Sequence, residues 1–372
     1  MDTQACPFLA EQAAAHSHAQ SHQLPPELPR YDNAAAWYGP DMADRSDWIL
    51  QLDAQDVTEI DAATQAGIAR GQDLVSLRES DFVLPGLAVR LREARQAVLH
   101  GRGFVLLRGW PGTQRSVQEN AWAFCGIGAH LGESVSQNAK GHVLGHVTNL
   151  GVDFRDPTTR GYQTGEGLSF HTDGGDVVGL LCLRPSKAGG LSRIASSTTI
   201  WNETVRRRAD LARELMSPYP HSRAGEIGAG QHSTFHVPVF QPCDDHMVCV
   251  LVPSYIAKAL AFEGVPRLRP EQKEALKLVN TLASDPGIYL DMNFQPGDMQ
   301  FLCNHSILHS RTAYEDWPEL DRRRHLLRLW LACPDGPMLP DNLTTEFQGA
   351  TASGRPNGIE VPGVGLHAPL MP

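Results

Sequence analysis

No two cysteines of this chain form a Cys-x-x-Cys pair, and their number, seven, is odd. Neither a zinc ribbon nor a disulfide-stapled scaffold is expected, and scattered thiols suit a reducing cytoplasm. Long basic runs are missing too. None is longer than three residues, as in Arg322-Arg323-Arg324, and the formal charge is −10, so nucleic acid is not the expected partner. No apolar stretch reaches membrane-spanning length. Met1 to Ser21 lacks the basic start and apolar core of a secretory leader. What is present is the composition of an ordinary soluble globular protein, 41% apolar and 20% charged over 372 residues, enough for a sizeable core.

Taken in order, residues 1–30 are rich in Ala, Gln, His and Pro without an apolar pattern. They read as a flexible tail, with His16, His18 and His22 part of it rather than a chelate. Residues 31–335 read as one domain. Its first third is mainly helical. Asp56 and Glu59 look like an N-cap and its partner, with Gly71 as the stop. Leu87, Leu91, Ala94 and Val98 recur at helical spacing. Gly103 to Gly109 bounds a buried strand, and Ser116 with Glu119 forms a second capping box. Residues 133–170 read as loops and short strands, where Tyr162, Gln163 and Thr164 are candidate substrate contacts; surface turn residues would look the same. Residues 177–183 are apolar and strand-like, 188–190 a turn, and a further strand starts at Leu191. Residues 216–285 read as an insertion that covers a site, or equally as an edge hairpin with a packing helix. Strands return at 288–294, 299–303 and 325–331, with Pro296-Gly297 setting a tight turn. Residues 336–372 are a Pro- and Gly-rich tail expected to wrap the surface. Short strands with Gly/Pro turns, and no regular strand-helix alternation, predict a mainly β fold with added helices, closed or sandwiched. Cys182 and Cys303 lie in strand-like runs and read as small buried hydrophobes.

The stretch Ser169-Phe170-His171-Thr172-Asp173-Gly174 organises the rest. Residues two apart on an extended strand point to one face, so His171 and Asp173 can reach one metal ion. Two ligands hold a metal weakly, and a third is sought in Asn304 to Thr312, where His309 is the leading candidate and His305 its competitor. Two histidines and a carboxylate form the facial triad of non-haem iron(II) oxygenases, which leaves positions open for co-substrate and oxygen. A lone His-x-Asp pair among 16 histidines says little, because polar residues often merely satisfy structure.

The order of motifs says more. Phe-His-Thr-Asp at 170–173 is followed by Gly-Gly-x-Ser at 189–192 and Pro-Gly-Asp at 296–298. Asn-x-x-x-x-His-Ser-Arg spans 304–311, and Arg-His-Leu-Leu-Arg-Leu-Trp-Leu spans 324–331. Over residues 100–335 this resembles the taurine dioxygenase-like (clavaminate synthase-like) family of iron(II)/2-oxoglutarate-dependent oxygenases. The resemblance implies a double-stranded β-helix, or jelly-roll, core. It implies His171, Asp173 and His309 as iron ligands, His309 occupying the family motif position. It also implies Arg324 as the partner of the distal carboxylate of 2-oxoglutarate, since a guanidinium fork matches a carboxylate. Ser192 stands where many relatives have Thr and keeps the hydroxyl. Arg328 is the implied anchor of a carboxylate or sulfonate on the primary substrate. The implied reaction consumes O2 and 2-oxoglutarate, yields succinate and carbon dioxide, and oxidises a carbon of a small, anionic molecule. With Asp173 present, hydroxylation or desaturation is favoured over halogenation. Arg311 is expected to pair with Glu315 or Asp316, and His325 to be structural.

Other readings stay open at this point. A zinc hydrolase could use the same His/Asp/His set, although its chemistry needs neither Arg324 nor Ser192. A non-catalytic jelly-roll binding protein could keep the scaffold. Arg328 could instead meet a protein carboxylate, as buried charges commonly do. The reading leaves room for a homo-oligomer, and it does not choose the substrate.

Overall fold

The computed structural model describes residues 27–152, 161–228 and 230–372, so the histidines at 16, 18 and 22 lie outside the described residues. The N-terminal part is a helical layer. Helix α1 (Gly39–Ala43) is short, and α2 (Ala54–Ala69), α3 (Leu87–Leu99) and α4 (Val117–Ala129) follow. Helix α2 begins earlier than Asp56 and Glu59 predict. Asp53 is its N-cap, accepting from the backbone of Gln55 and Asp56, and Asp56 returns a bond to Asp53. Glu59 is used elsewhere, accepting from the backbone of Gly86 and Leu87 at the start of α3. The Ser116–Glu119 capping box opens α4 as expected. Leu87, Leu91, Ala94 and Val98 all turn inward, and burial of such a side chain contributes about 1.5–3 kcal/mol.

This layer covers one face of a seven-stranded sheet made of β1 (Ile49–Gln51), β2 (Phe104–Arg108), β3 (Glu133–Val135), β4 (Leu144–Thr148), β6 (Val177–Arg184), β14 (Met299–Cys303) and β17 (His325–Ala332). Its order is β1-β2-β14-β6-β17-β3, with β4 also on β17. Alternation along β17 decides what faces where. Leu327, Leu329 and Leu331 pack with the helices, whereas Leu326, Arg328 and Trp330 face the other way. Opposite them lies a four-stranded sheet, β13-β8-β15-β5, from β5 (Leu168–His171), β8 (Ser192–Ser196), β13 (Leu290–Met292) and β15 (Ile307–Arg311). Ile194 and Ile307 point into the space between the sheets, and Ala195 and Leu308 point outward. A two-stranded pair, β7 (Ala188–Gly189) with β16 (Tyr314–Glu315), extends one end.

The outer face of the smaller sheet is covered by α5 (Ser197–Arg207), α6 (Ala209–Leu215) and α8 (Pro270–Ala283). Between α6 and α8 come two hairpins, β9 (Pro218–Ser222) with β10 (Thr234–Pro238) and β11 (Phe240–Cys243) with β12 (His246–Cys249), then helix α7 (Pro253–Ala259). The final segment does more than wrap the surface. Arg355, Pro356, Asn357 and Gly358 are buried, and Phe347 stacks on Phe235 with ring centroids 4.8 Å apart. Cys182 and Cys303 are buried thiols, as expected.

Candidate metal site and substrate cavity

The four-stranded sheet brings the two key histidines together. In the antiparallel pairing of β15 with β5, His309 stands directly opposite His171, and their ring centroids are 4.3 Å apart. Asp173 lies two residues beyond the end of β5, so strand alternation does not aim it. The following turn does. Asn304 Oδ1 accepts from the Asp173 backbone N–H at 3.1 Å, and Asn304 Nδ2 donates to the Gly174 carbonyl at 2.7 Å. Asp173 Oδ1 is then 4.0 Å from His171 Nε2, and Oδ2 is 3.9 Å from His309 Nε2. One ligand atom from each of the three residues lies within 4.8 Å of the others, so a single ion can sit among them.

The donor set fits iron(II) chemically. His171 Nδ1 is 2.8 Å from the Ser169 carbonyl; it carries the proton there and leaves Nε2 as a lone-pair donor. Burial, then the neighbouring His171, pushes the His309 ring down to about 3, so it is neutral and ready to coordinate. Burial alone would raise the Asp173 carboxyl. Arg328, His309, His171 and a bond from Trp330 outweigh it and hold Asp173 well below the usual carboxylate range. His305 is committed elsewhere: its Nε2 is 2.8 Å from Asp176 Oδ1.

Arg328 meets a protein carboxylate. Its Nη1 donates to Asp173 Oδ2 at 2.9 Å and its Nε to Gln137 Oε1 at 2.8 Å, and Trp330 Nε1 reaches the same Asp173 oxygen at 3.1 Å. Arg328 Nη2 donates to none of the described residues. The guanidinium carbon lies 4.7 Å from the centroid of the Tyr162 ring. Arg324 does not continue the regular alternation of β17. It precedes the strand, and a register irregularity separates His325 from Leu326. Arg324 is nonetheless buried, as is Ser192. Its Nη1 finds no well-formed hydrogen bond, although the Tyr314 hydroxyl is close enough to act on its charge. The expected ion pair of Arg311 is not formed. Glu315 binds Lys187 instead, Asp316 Oδ1 accepts from the Arg324 backbone at 2.7 Å, and Arg311 Nη2 donates to the Thr164 and Glu166 carbonyls. His325 is structural in its contacts, its Nε2 lying 2.8 Å from His146 Nδ1.

A cavity of about 1100 Å³ opens over His171 and Asp173. Tyr162, Arg328 and Trp330 line it; Gln163 and Thr164 do not. Thr164 is instead buried, bonded to the Gly161 carbonyl at 3.1 Å. Two walls come from segments without a recognisable motif. Arg223, Tyr255 and Lys258 enter from residues 216–285, and residues 347–349, 357–362 and 364–366 from the C-terminal segment. That segment is tied to the turn after Asp173. The buried carboxylate of Asp176 accepts from Arg355 Nε at 2.9 Å and Nη2 at 2.6 Å, from the Cys333 backbone at 2.7 Å and from His305. Nothing in local sequence pairs Asp176 with Arg355, 179 residues away. A buried acid three residues past a candidate ligand was the one available hint.

Comparison with known proteins gives the family and the fold. A family model described as taurine catabolism dioxygenase TauD, TfdA family, matches residues 69–330. FR-33289 synthase of Streptomyces rubellomurinus is 29% identical over 329 residues, covering 87% of this chain and 96% of the relative. A taurine hydroxylase-like protein, SAT17, of Stachybotrys chartarum is 30% identical over 314 residues, covering 81% and 79%. Among solved structures, asparagine oxygenase with Fe(II), hydroxyasparagine and succinate shares the fold at a TM-score of 0.58 and 16% identity, covering 84% of this chain and all of that one. The non-haem iron oxygenase OrfP with Fe and α-ketoglutaric acid gives 0.59 and 17%, covering 76% and 93%. No helix among the described residues is long and apolar enough to cross a membrane.

Proposed function

Because the chain belongs to the TauD/TfdA dioxygenase family and is a 2-oxoglutarate-dependent non-haem iron dioxygenase, we propose that it hydroxylates an unactivated carbon of a small, anionic molecule held in the 1100 Å³ cavity. The observation that carries the reading is the convergence of His171, Asp173 and His309, with ligand atoms within 4.8 Å of one another, at a cavity that His171 and Asp173 line. In this reading the three residues hold Fe(II), and the two facing sheets form a double-stranded β-helix. Iron with bound 2-oxo acid supplies oxygen activation, with succinate and carbon dioxide as co-products. The protein's own work is to bind, orient and exclude water. Arg324 and Ser192 receive the distal carboxylate of 2-oxoglutarate. Ser169 fixes the tautomer of His171. Trp330 and Arg328 hold Asp173 Oδ2 and so leave Oδ1, on the His171 side, for the ion.

An anionic substrate is supported by Arg328, whose Nη2 makes no bond to the described protein beside the cavity, and by Tyr162 across from it. Asparagine oxygenase and OrfP were crystallised with hydroxyasparagine and hydroxyarginine, both amino acids, so a molecule bearing a carboxylate is the first class to try. Buried, unpaired thiols support a cytoplasmic setting. The test is a screen of amino acids and other small anions for stimulated succinate formation by the iron-loaded protein. Turnover should require both O2 and 2-oxoglutarate. Hydrolytic turnover without either would instead support a zinc hydrolase, and failure to bind iron(II) a binding protein.

A further inference from the structure

The interior beyond His309 carries more positive charge than one co-substrate contact explains. Arg311 follows His309 by two residues on β15, so it points to the same face about 6.6 Å further along, a distance comparable to the length of a five-carbon chain. Cross-strand register sets it against Ser192 of β8. Arg311 is only 6% exposed. Its Nη2 is held by the Thr164 and Glu166 carbonyls, but Nε and Nη1 are buried without a hydrogen-bond partner. Arg324, 4% exposed, approaches the same place: the guanidinium carbons of Arg311 and Arg324 lie 4.7 Å and 5.2 Å from the centroid of one ring, that of Tyr314.

Among the described residues the acid acting on both is Asp316. It forms no ion pair with either, and its Oδ2 is itself buried without a hydrogen bond. Two guanidiniums against one carboxylate leave one positive charge unmatched. An unmatched buried charge is costly. One more carboxylate would balance the cluster.

We propose that Arg311 is a second anchor for the distal carboxylate of 2-oxoglutarate, which then lies between two guanidiniums and the Ser192 hydroxyl, so that the site selects a dicarboxylic over a monocarboxylic 2-oxo acid. This rests on the proposed function. The test compares 2-oxoglutarate with 2-oxopentanoate, which has the same keto-acid end and no distal carboxylate, by anaerobic calorimetry on the Fe(II)-loaded protein. The wild type binds 2-oxoglutarate more tightly. Arg311→Met weakens 2-oxoglutarate by about 10–100-fold, the value of a charge-assisted hydrogen bond, and leaves 2-oxopentanoate unchanged. A merely structural Arg311 would weaken both acids alike or neither, and either result overturns the inference. Should Arg311→Met not fold, Arg311→Lys keeps the charge and gives up the fork: weaker 2-oxoglutarate with 2-oxopentanoate unchanged supports the inference, and equal loss of both acids or of neither overturns it. If the wild type binds no 2-oxoglutarate, the proposed function falls and takes this inference with it; if Arg324→Met alone abolishes the preference, only the inference falls.

Discussion

The two ends of the site are built from different kinds of chain. The proposed co-substrate end, with His309, Arg311, Ser192 and Arg324, rests on β8, β15 and the approach to β17, where cross-strand register places His309, Arg311 and Ser192. The substrate end is walled by α7, by Arg223 and by residues 347–366, which reach the cavity through loops and a late clasp, Arg355 on Asp176. The first end lies within residues 69–330, which the family model matches. The second extends past residue 330, where the family match stops. Register tolerates little change, because a one-residue slip reverses every side chain. Loop walls can vary without disturbing the strands. Substrate choice is therefore expected to reside in the walls, and co-substrate chemistry in the strands.

The largest effect should come from the shared end. Asp173→Ala removes the one carboxylate of the triad, and oxidation should fall by more than the roughly 10–100-fold that outer partners of a metal site cost. Near-normal succinate formation by this variant under iron saturation would break the comparison at its root.

Next comes the clasp. Arg355→Ala leaves the buried Asp176 with His305 and the Cys333 backbone but without its guanidinium, which should cost about 3–5 kcal/mol in urea unfolding. Acid should show the same linkage. Burial alone would raise Asp176, but bonds from His305 and Arg355 win and lower its carboxyl. A folded value below the unfolded one gives stability that is complete above the unfolded pKa of about 3.9 and is lost as pH falls through the folded value. The wild type should therefore lose stability below pH ~4 more steeply than Arg355→Ala does. Equal acid sensitivity would show that the clasp contributes nothing through this charge.

The walls can be probed more gently. Phe347→Ala removes the ring stacked on Phe235 and should raise KM for whichever substrate the screen identifies several-fold, leaving KM for 2-oxoglutarate unchanged. Tyr162→Ala, which removes the ring facing Arg328, should give the smallest change, about 2–5-fold, the size of an exposed cation–π contact. A larger effect on 2-oxoglutarate than on the substrate would move either residue to the other end of the site.

What could be read from sequence follows the same division. Helix spacing and capping chemistry gave α3 and α4, and the apolar runs at 177–183 and 325–331 became the two central strands. His171, Asp173 and His309 were legible because metal chemistry demands those residue types in motifs near strand ends. Strand alternation does not account for Asp173, which a turn and Asn304 position. Arg311 was misassigned because Glu315 and Asp316 are near in sequence, while its contacts are carbonyls of the preceding loop. Arg328 was correctly read as buried, but its nearest anion, Asp173, is 155 residues away. The tail was read as surface because Pro and Gly mark irregular chain without saying what it covers.

The most direct measurement of the central assignment is anaerobic Fe(II) binding, compared across the wild type, His309→Ala and His305→Ala. The account predicts one iron per chain in the wild type and in a folded His305→Ala, and strong loss in His309→Ala. Iron retained in His309→Ala and lost in His305→Ala would contradict it.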